Sequence, residues 1–184
     1  MNQKLDKIIS ACLANKQSAQ KELYELFSPK MYGICLRYAV DRDEAADLLQ
    51  EGFIKVFEKL ESFKNEGSFE GWIRRIIVNT ALENYRKKNK MYLFNIDKLD
   101  IVDEIEGDET DFFSGIEISY VLQLIQDLAP GYRMVLNLYA LEGYSHKKIA
   151  DHLGISVGTS KSQLARARVI LVEKVNSLKV KESI

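Results

Sequence analysis

The stretch from Tyr144 to Arg168, YSHKKIADHLGISVGTSKSQLARAR, predicts two helices joined by a tight turn. Ser145 has a hydroxyl that can cap the free amides at a helix start, and Ile149 and Leu153 lie four residues apart on one face. Gly154 can adopt the positive φ that ends a helix without steric cost. This arrangement is typical of a helix-turn-helix unit that binds DNA.

The second of these helices, predicted from Val157 to about Val175, has an apolar inner stripe and a polar outer face. Ser160 lies where many such units have a packed apolar side chain, which predicts looser docking or a shifted register. An outer face inside a major groove would offer hydrogen bonds to base edges and phosphates. The competing interpretation is a solvated basic surface helix. The candidate DNA-contacting residues are Thr159, Lys161, Ser162, Gln163, Arg166 and Arg168.

The formal net charge of -1 conceals an uneven distribution of charge along the chain. Residues 72–90 contain six Lys or Arg and one Glu, and residues 144–184 contain eight basic and three acidic residues. Residues 95–120 contain nine acidic residues and one Lys. Because basic blocks are typical footprints of a polyanion, this pattern favours a nucleic-acid partner.

Helical periodicity dominates the chain, and only two prolines interrupt it. The sequence therefore predicts an all-α protein with two small helical domains joined by a flexible acidic linker. The first domain is predicted over residues 1–90, the linker over 91–115, and the second domain over 116–184. The second domain is predicted to be a four-helix unit that contains the helix-turn-helix.

Some helix boundaries are predicted as well. Asp41 followed by Glu44 resembles a capping box and predicts a helix from about Arg42 to Leu60. Pro29 is expected to kink or divide the long helix before it. Pro130 predicts the start of a helix that runs up to Gly143.

Several classes of protein are disfavoured by what the sequence contains. Cys12 and Cys35 have no metal-ligand spacing and are expected to be packing residues of helices. No apolar run approaches the length of a membrane span, so we expect a soluble cytoplasmic protein. His146 and His152 have no ligand partners at metal-site spacing and are expected at the surface. With no phosphate-cradling glycine loop and no nucleophile beside a base, the sequence predicts no catalytic residue, metal or cofactor.

Taken in order, these features resemble the sigma-70 family of bacterial transcription factors, and specifically its small extracytoplasmic-function (ECF) group. Three segments carry the resemblance: RDEAADLLQEGFIKVFEKLESF from Arg42, GSFEGWIRRIIVNTALENYRKK from Gly67, and GYSHKKIADHLGISVGTSKSQLARAR from Gly143. The resemblance implies that the first domain binds core RNA polymerase and opens the minus-ten promoter element. It implies that the second domain reads the minus-thirty-five element, and that an anti-sigma factor regulates the chain.

The resemblance also assigns a polymerase-binding surface. Asp47, Gln50 and Glu51 match the family motif D-x-x-Q-E, whose helix docks on the clamp coiled coil of the largest polymerase subunit. Phe53 and Phe57 lie near the motif and are assigned to the same surface. An acidic, amide-bearing helical face suits a basic partner helix better than DNA, although a solvated helix face has the same composition.

A further set of residues is assigned to the minus-ten pocket and to melting. Opening a promoter without ATP hydrolysis requires unstacked bases to be trapped by aromatic stacking and polar edges. The assigned residues are Phe63, Trp72, Arg75, Asn79, Asn84 and Arg86. Core packing is the competing role for Phe63 and Trp72, and stabilisation of a helix C-terminus is the competing role for Arg86.

One alternative function stays open from the sequence. A stand-alone dimeric helix-turn-helix regulator would bind a palindrome without help, whereas a sigma factor depends on polymerase. The D-x-x-Q-E helix and the pocket residues favour the sigma factor.

Overall fold

A computed structural model describes residues 3–89 and 117–181, and within those ranges the chain forms helices and turns but no strand. The all-α prediction is therefore confirmed. The chain divides into two compact units, Met1–Glu83 and Asn84–Ile184. The linker predicted over 91–115 lies outside the described residues, and the predicted domain boundaries stay predictions.

The first unit is built from α1 (Gln3–Leu13), α2 (Gln17–Tyr38), α3 (Arg42–Glu58), a short 3-10 turn (Leu60–Ser62) and the start of α4 (Phe69–Asn89). Helix α1 packs on α2, and α2 packs on α3. Pro29 lies inside α2 without dividing it. The sequence allowed either a kink or a division at this proline, and the helix continues through it.

The start of α3 shows why the sequence predicted it correctly. The Asp41 carboxylate accepts a hydrogen bond of 2.8 Å from the amide of Glu44. The Glu44 carboxylate accepts one of 2.8 Å from the amide of Val40, so the reciprocal bond of this capping box reaches one residue before the cap. The helix ends at Glu58, two residues before the predicted end at Leu60.

The core of the first unit depends on a close approach of α3 to α4. Gly52 faces α4, and a Cβ at this position would collide with the side-chain tip of Ile77, which is 1% exposed. A larger residue would push this side-chain tip aside, so the lack of a side chain at Gly52 lets the two helices pack at this separation. Burial raises the pKa of Cys35 in the same core to about 12, which agrees with its predicted role as a packing residue.

The second unit contains α5 (Ile118–Gln126), α6 (Pro130–Leu136), α7 (His146–Leu153) and α8 (Val157–Lys181). These four helices confirm the predicted four-helix unit. Pro130 occupies the first turn of α6, as expected. Helices α6 and α7 both pack on α8.

One local feature of this unit was not predicted. The sequence indicated a single α-helix as far as Gly143, but residues Asn137–Leu141 form a π turn instead. In this turn the amide of Glu142 donates to the carbonyl of Asn137, five residues earlier, at 3.0 Å. The buried Asn137 side chain donates to the carbonyl of Arg133 at 2.9 Å, which ties the turn to α6.

None of the helices within 3–89 and 117–181 combines the length and the apolar character that crossing a bilayer requires.

Candidate polymerase and nucleic-acid interfaces

Helix α3 presents one exposed face. Asp47, Gln50 and Ile54 follow one another at spacings of three and four residues, so they share a row on the helix. Asp47 and Gln50 are exposed, and Ile54 is 58% exposed although it is a large apolar residue. Glu51 and Phe57 lie at the edges of this row and are half-buried. We call Asp47, Gln50, Glu51, Ile54 and Phe57 the α3 face.

Phe53 does not belong to the α3 face, contrary to the prediction. Its side chain is 2% exposed, and its ring packs edge-on against Tyr24 at 4.7 Å between centroids. A partner protein could reach it only if the core opened, so Phe53 is a core residue. The residue that sequence reasoning missed is Ile54, whose spacing from Gln50 was a usable signal.

An aromatic cluster joins the end of the 3-10 turn to the start of α4. Phe69 is 2% exposed and lies at its centre, with Phe27 at 5.5 Å, Phe63 at 4.9 Å and Trp72 at 5.5 Å between ring centroids. Phe63 and Trp72 contact each other at 5.4 Å and remain half-buried. The two predicted pocket aromatics are thus brought together, and each combines core packing with a solvent-accessible part.

Further along α4, the predicted polar residues separate into two groups. Arg75, Asn79 and Arg86 are exposed and fall on the same side of the helix as Trp72, at spacings of three, four and seven residues. Asn84 is half-buried and lies roughly 150° around the helix from this side. We call Trp72, Arg75, Asn79 and Arg86 the α4 strip, and Asn84 is not part of it.

The helix-turn-helix forms as the sequence predicted. Ser145 accepts a hydrogen bond of 3.3 Å from the amide of Lys148, and α7 begins at the next residue. Gly154 ends α7 with φ 69° and ψ 34°, the left-handed conformation expected of it. Ile149 and Leu153 are both buried.

The first turn of α8 is held by hydroxyl groups. Ser156 caps the helix, since its hydroxyl accepts a hydrogen bond of 2.9 Å from the amide of Thr159. The Thr159 hydroxyl lies 2.8 Å from the same Ser156 oxygen, and the Ser162 hydroxyl donates to the Thr159 carbonyl at 3.1 Å. These two predicted DNA contacts therefore also stabilise the helix start.

The predicted residues of α8 occupy two strips that lie roughly 140° apart around the helix. Thr159, Ser162 and Arg166 are spaced three and four apart and form one strip. Lys161, which is exposed, and Arg168 lie seven apart on another, where the Arg168 guanidinium sits 5.8 Å from the centroid of the Tyr139 ring.

Gln163 departs from its predicted role in part. Its amide packs close to Gly131 at the start of α6, where an added Cβ would meet the amide nitrogen at 3.0 Å. Its amide oxygen is buried. Only part of this side chain is therefore available to DNA, because the amide is turned toward the helix that α8 packs against.

Ser160 connects the two helices of the unit. It is fully buried, and its hydroxyl lies 2.9 Å from Nδ1 of His146 at the start of α7. The His146 ring stacks on Tyr139 with a centroid distance of 4.6 Å and an interplanar angle of 21°. His146 and His152 are half-buried, so both histidines lie at the surface only in part. The sequence predicted looser docking because Ser160 stands where an apolar side chain is usual. The contact of its hydroxyl with His146 takes the place of that apolar contact.

Ser160→Ala is expected to destabilise α7 and α8 by about 1 kcal/mol, since it removes a buried hydrogen bond between them. Hydrogen–deuterium exchange of the full chain should show faster exchange of the amides in both helices. Ser177→Ala is the matched control, because that hydroxyl is exposed and bonds only within its own helix to the carbonyl of Glu173. Equal exchange in the two variants would contradict the role of Ser160.

Comparison with known protein families gives a match in each of the two units. The family model for sigma-70 region 2 matches residues 23–91, and the model for sigma-70 region 4 matches residues 118–171. Together they account for more than half of the chain. The chain belongs to the sigma-70 family.

The relatives assign the chain to the ECF group of the sigma-70 family. The chain is 31% identical to the ECF RNA polymerase sigma-E factor of Haemophilus influenzae, over 91% of this chain and 95% of that protein. It is 28% identical to the ECF RNA polymerase sigma factor SigW of Bacillus subtilis, over 97% of this chain and 100% of that protein. A solved structure of the sigma factor RpoE of Bartonella quintana, in complex with the anti-sigma factor NepR, is 23% identical. It matches with a TM-score of 0.46 over 83% of this chain and 94% of that one.

The chain is thus a sigma factor, which directs transcription initiation together with RNA polymerase at promoter DNA. The alternative of a stand-alone dimeric regulator is not favoured.

Proposed function

We propose that this ECF sigma factor divides its work among three helices: α3 binds core polymerase, α4 engages the minus-ten element, and α8 reads the minus-thirty-five element. The observation that carries the proposal is the α4 strip. One row of a single helix offers an aromatic ring, an amide and two guanidinium groups to solvent, the combination that unstacked bases and their phosphates require.

The α3 face supports the polymerase assignment by its anatomy. An exposed apolar residue, Ile54, lies among Asp47, Gln50 and Glu51, so a dry centre is bordered by acidic and amide groups. Stable protein interfaces are built in this way, with an apolar anchor inside a polar rim. The acidic rim complements a basic helical partner, and the family resemblance names that partner as the clamp coiled coil of the largest subunit.

The α4 strip supports promoter opening because its groups perform different tasks. Trp72 and Phe63 form an aromatic surface on which an extruded base can stack, and their packing on Phe69 fixes the orientation of the rings. Asn79 has both a donor and an acceptor for a base edge. Arg75 and Arg86 carry charge that can hold the phosphates on either side.

The first strip of α8 supports upstream recognition. Arg166 stands two turns from Thr159 on a helix whose packing on α6 and α7 holds it firmly. Guanidinium groups at such positions form the strongest contacts to guanine edges and to phosphates. The bases that α8 prefers depend on these side chains and on the DNA that they meet. We therefore assign α8 to the minus-thirty-five element and assign no base sequence to that element.

Arg166→Ala is expected to lower run-off transcription about ten-fold, equivalent to about 1.4 kcal/mol, while core polymerase is bound as before. Pull-down with core enzyme and run-off transcription with the reconstituted holoenzyme test this directly. A promoter whose upstream element has been replaced provides the control, because there the variant and the unaltered chain should transcribe equally. Parallel loss of polymerase binding and transcription would contradict the assignment.

Two further properties belong to the same proposal. As a transcription initiation factor, the chain is proposed to have no catalytic activity of its own and to act in the cytoplasm, where polymerase works. An anti-sigma factor stays a prediction from the family resemblance.

A further inference from the structure

An acidic residue interrupts the α4 strip. Glu83 is exposed, four residues after Asn79 and three before Arg86, so it falls on the same side of α4 as both. A carboxylate at this place repels the phosphates that the neighbouring arginines attract. Its charge therefore matters for any DNA that follows the strip.

A lysine from the neighbouring helix engages this carboxylate. Lys55 on α3 donates a hydrogen bond of 2.8 Å to Glu83 and one of 2.9 Å to Glu51. The Lys55 side chain is only 20% exposed, so solvent screens these contacts less than it would at an open surface. One ammonium group thus connects the polymerase-binding helix to the helix of the α4 strip.

Lys55 keeps its charge in this position. Burial alone lowers the pKa of its ammonium, but the hydrogen bonds to Glu83 and Glu51 outweigh that effect and raise the pKa above its ordinary value. The group is accordingly a permanent cation at physiological pH. Both carboxylates lie within hydrogen-bond distance of the same nitrogen, so removal of the ammonium would leave two negative charges close together.

We infer that Lys55 is a positioning residue for promoter opening, which screens the Glu83 carboxylate from DNA and thereby keeps the α4 strip attractive to phosphates. The inference rests on the proposed function of α4. It gives Glu51 a second role, since this residue of the α3 face helps to hold the lysine in place. Neither Lys55 nor Glu83 was among the residues that the sequence singled out.

Three variants distinguish the screening of Glu83 by Lys55 from a purely structural contact between α3 and α4. Lys55→Met keeps the aliphatic volume and removes the charge. Adding Glu83→Gln removes the carboxylate that faces DNA, whereas adding Glu51→Gln removes the other one. Both double variants relieve the repulsion between the two carboxylates, but only the first removes negative charge from the strip.

Open-complex formation is the readout, followed by 2-aminopurine fluorescence with the reconstituted holoenzyme at saturating sigma factor. The template is a fragment on which the unaltered holoenzyme initiates, selected by in vitro transcription of fragmented genomic DNA. Lys55→Met is expected to reduce the open-complex equilibrium about five-fold, the effect of one incompletely screened charge. Glu83→Gln should restore it in the double variant, and Glu51→Gln should not.

Equal rescue by the two double variants, or an unchanged open-complex equilibrium in Lys55→Met, would overturn the inference. Should Lys55→Met fail to fold, Glu83→Gln alone decides, because it is expected to open the template at least as well as the unaltered chain. A loss of opening in that single variant would overturn the inference too. Arg75→Ala distinguishes the two proposals: if it opens the template normally, the assignment of α4 itself fails.

Discussion

Ile54→Lys is expected to weaken the binding of this sigma factor to core RNA polymerase about 100-fold. Ile54 is 58% exposed at the middle of the α3 face, so the substitution spares the core of the unit. Under the proposed function, it removes the apolar anchor of the interface and places an ammonium group against a basic partner. Truncation of such an anchor costs about 2 kcal/mol or more, and about 2.7 kcal/mol corresponds to 100-fold. Fluorescence anisotropy of the labelled chain titrated with core enzyme measures the change.

Leu26→Lys is the matched control for this variant. Leu26 is 56% exposed in α2, so the exposure, the chemical change and the added charge are nearly the same. Circular dichroism should show both variants to be folded, and only Ile54→Lys should lose affinity. If the two variants bound core enzyme equally well, the interface would have to lie elsewhere than on the α3 face.

The α3 face shows how far sequence reasoning reaches. The resemblance assigned Asp47 and Gln50 to one surface, and both are exposed, as expected of polar residues on the solvated side of a helix. It misassigned Phe53, because closeness to the motif along the chain does not decide which side of the helix a residue lies on. Ile54 was passed over, since apolar residues are ordinarily counted with the core. Which of two neighbouring apolar residues is buried depends on where α2 packs, and that contact is not encoded locally.

In the rest of the fold, features with a local cause were also predictable, whereas features that depend on packing between helices were not. The caps at Asp41, Ser145 and Gly154 were predictable because each acts through its own or a nearby backbone group. The π turn after Leu136 and the close approach at Gly52 depend on packing between helices, and neither has a sequence signal of comparable strength. The Gln163 amide is a similar case, because its inward orientation depends on the space beside Gly131.

Ser160 illustrates a prediction that failed for a physical reason. A polar residue at an expected core position suggested looser docking, on the assumption that the core offered no partner. The ring of His146 supplies one, and a buried hydroxyl with a partner at 2.9 Å no longer destabilises its site. Pairing of residues 14 positions apart on different helices could not be inferred from periodicity.

Asn79→Ala is expected to reduce open-complex formation about ten- to a hundred-fold at the minus-ten element. The side chain is exposed on α4, and alanine is the better helix former, so stability should be unchanged or slightly higher. Under the proposed function, what is lost is hydrogen bonding to the edge of an unstacked base, for which about 1–3 kcal/mol is typical. Asn176→Ala is the matched control, because Asn176 is an exposed amide within α8.

The salt dependence of opening separates Asn79 from its neighbour Arg75. A phosphate contact releases counterions, so Arg75→Ala should lower the slope of the logarithm of binding against the logarithm of salt concentration by about one. Asn79→Ala should leave that slope unchanged while reducing affinity at every salt concentration, since a base-edge contact releases no counterion. Titrations at several KCl concentrations distinguish the two. An equal loss of slope in both variants would mean that the α4 strip binds backbone alone, and the choice of base would then have to arise from Phe63 and Trp72.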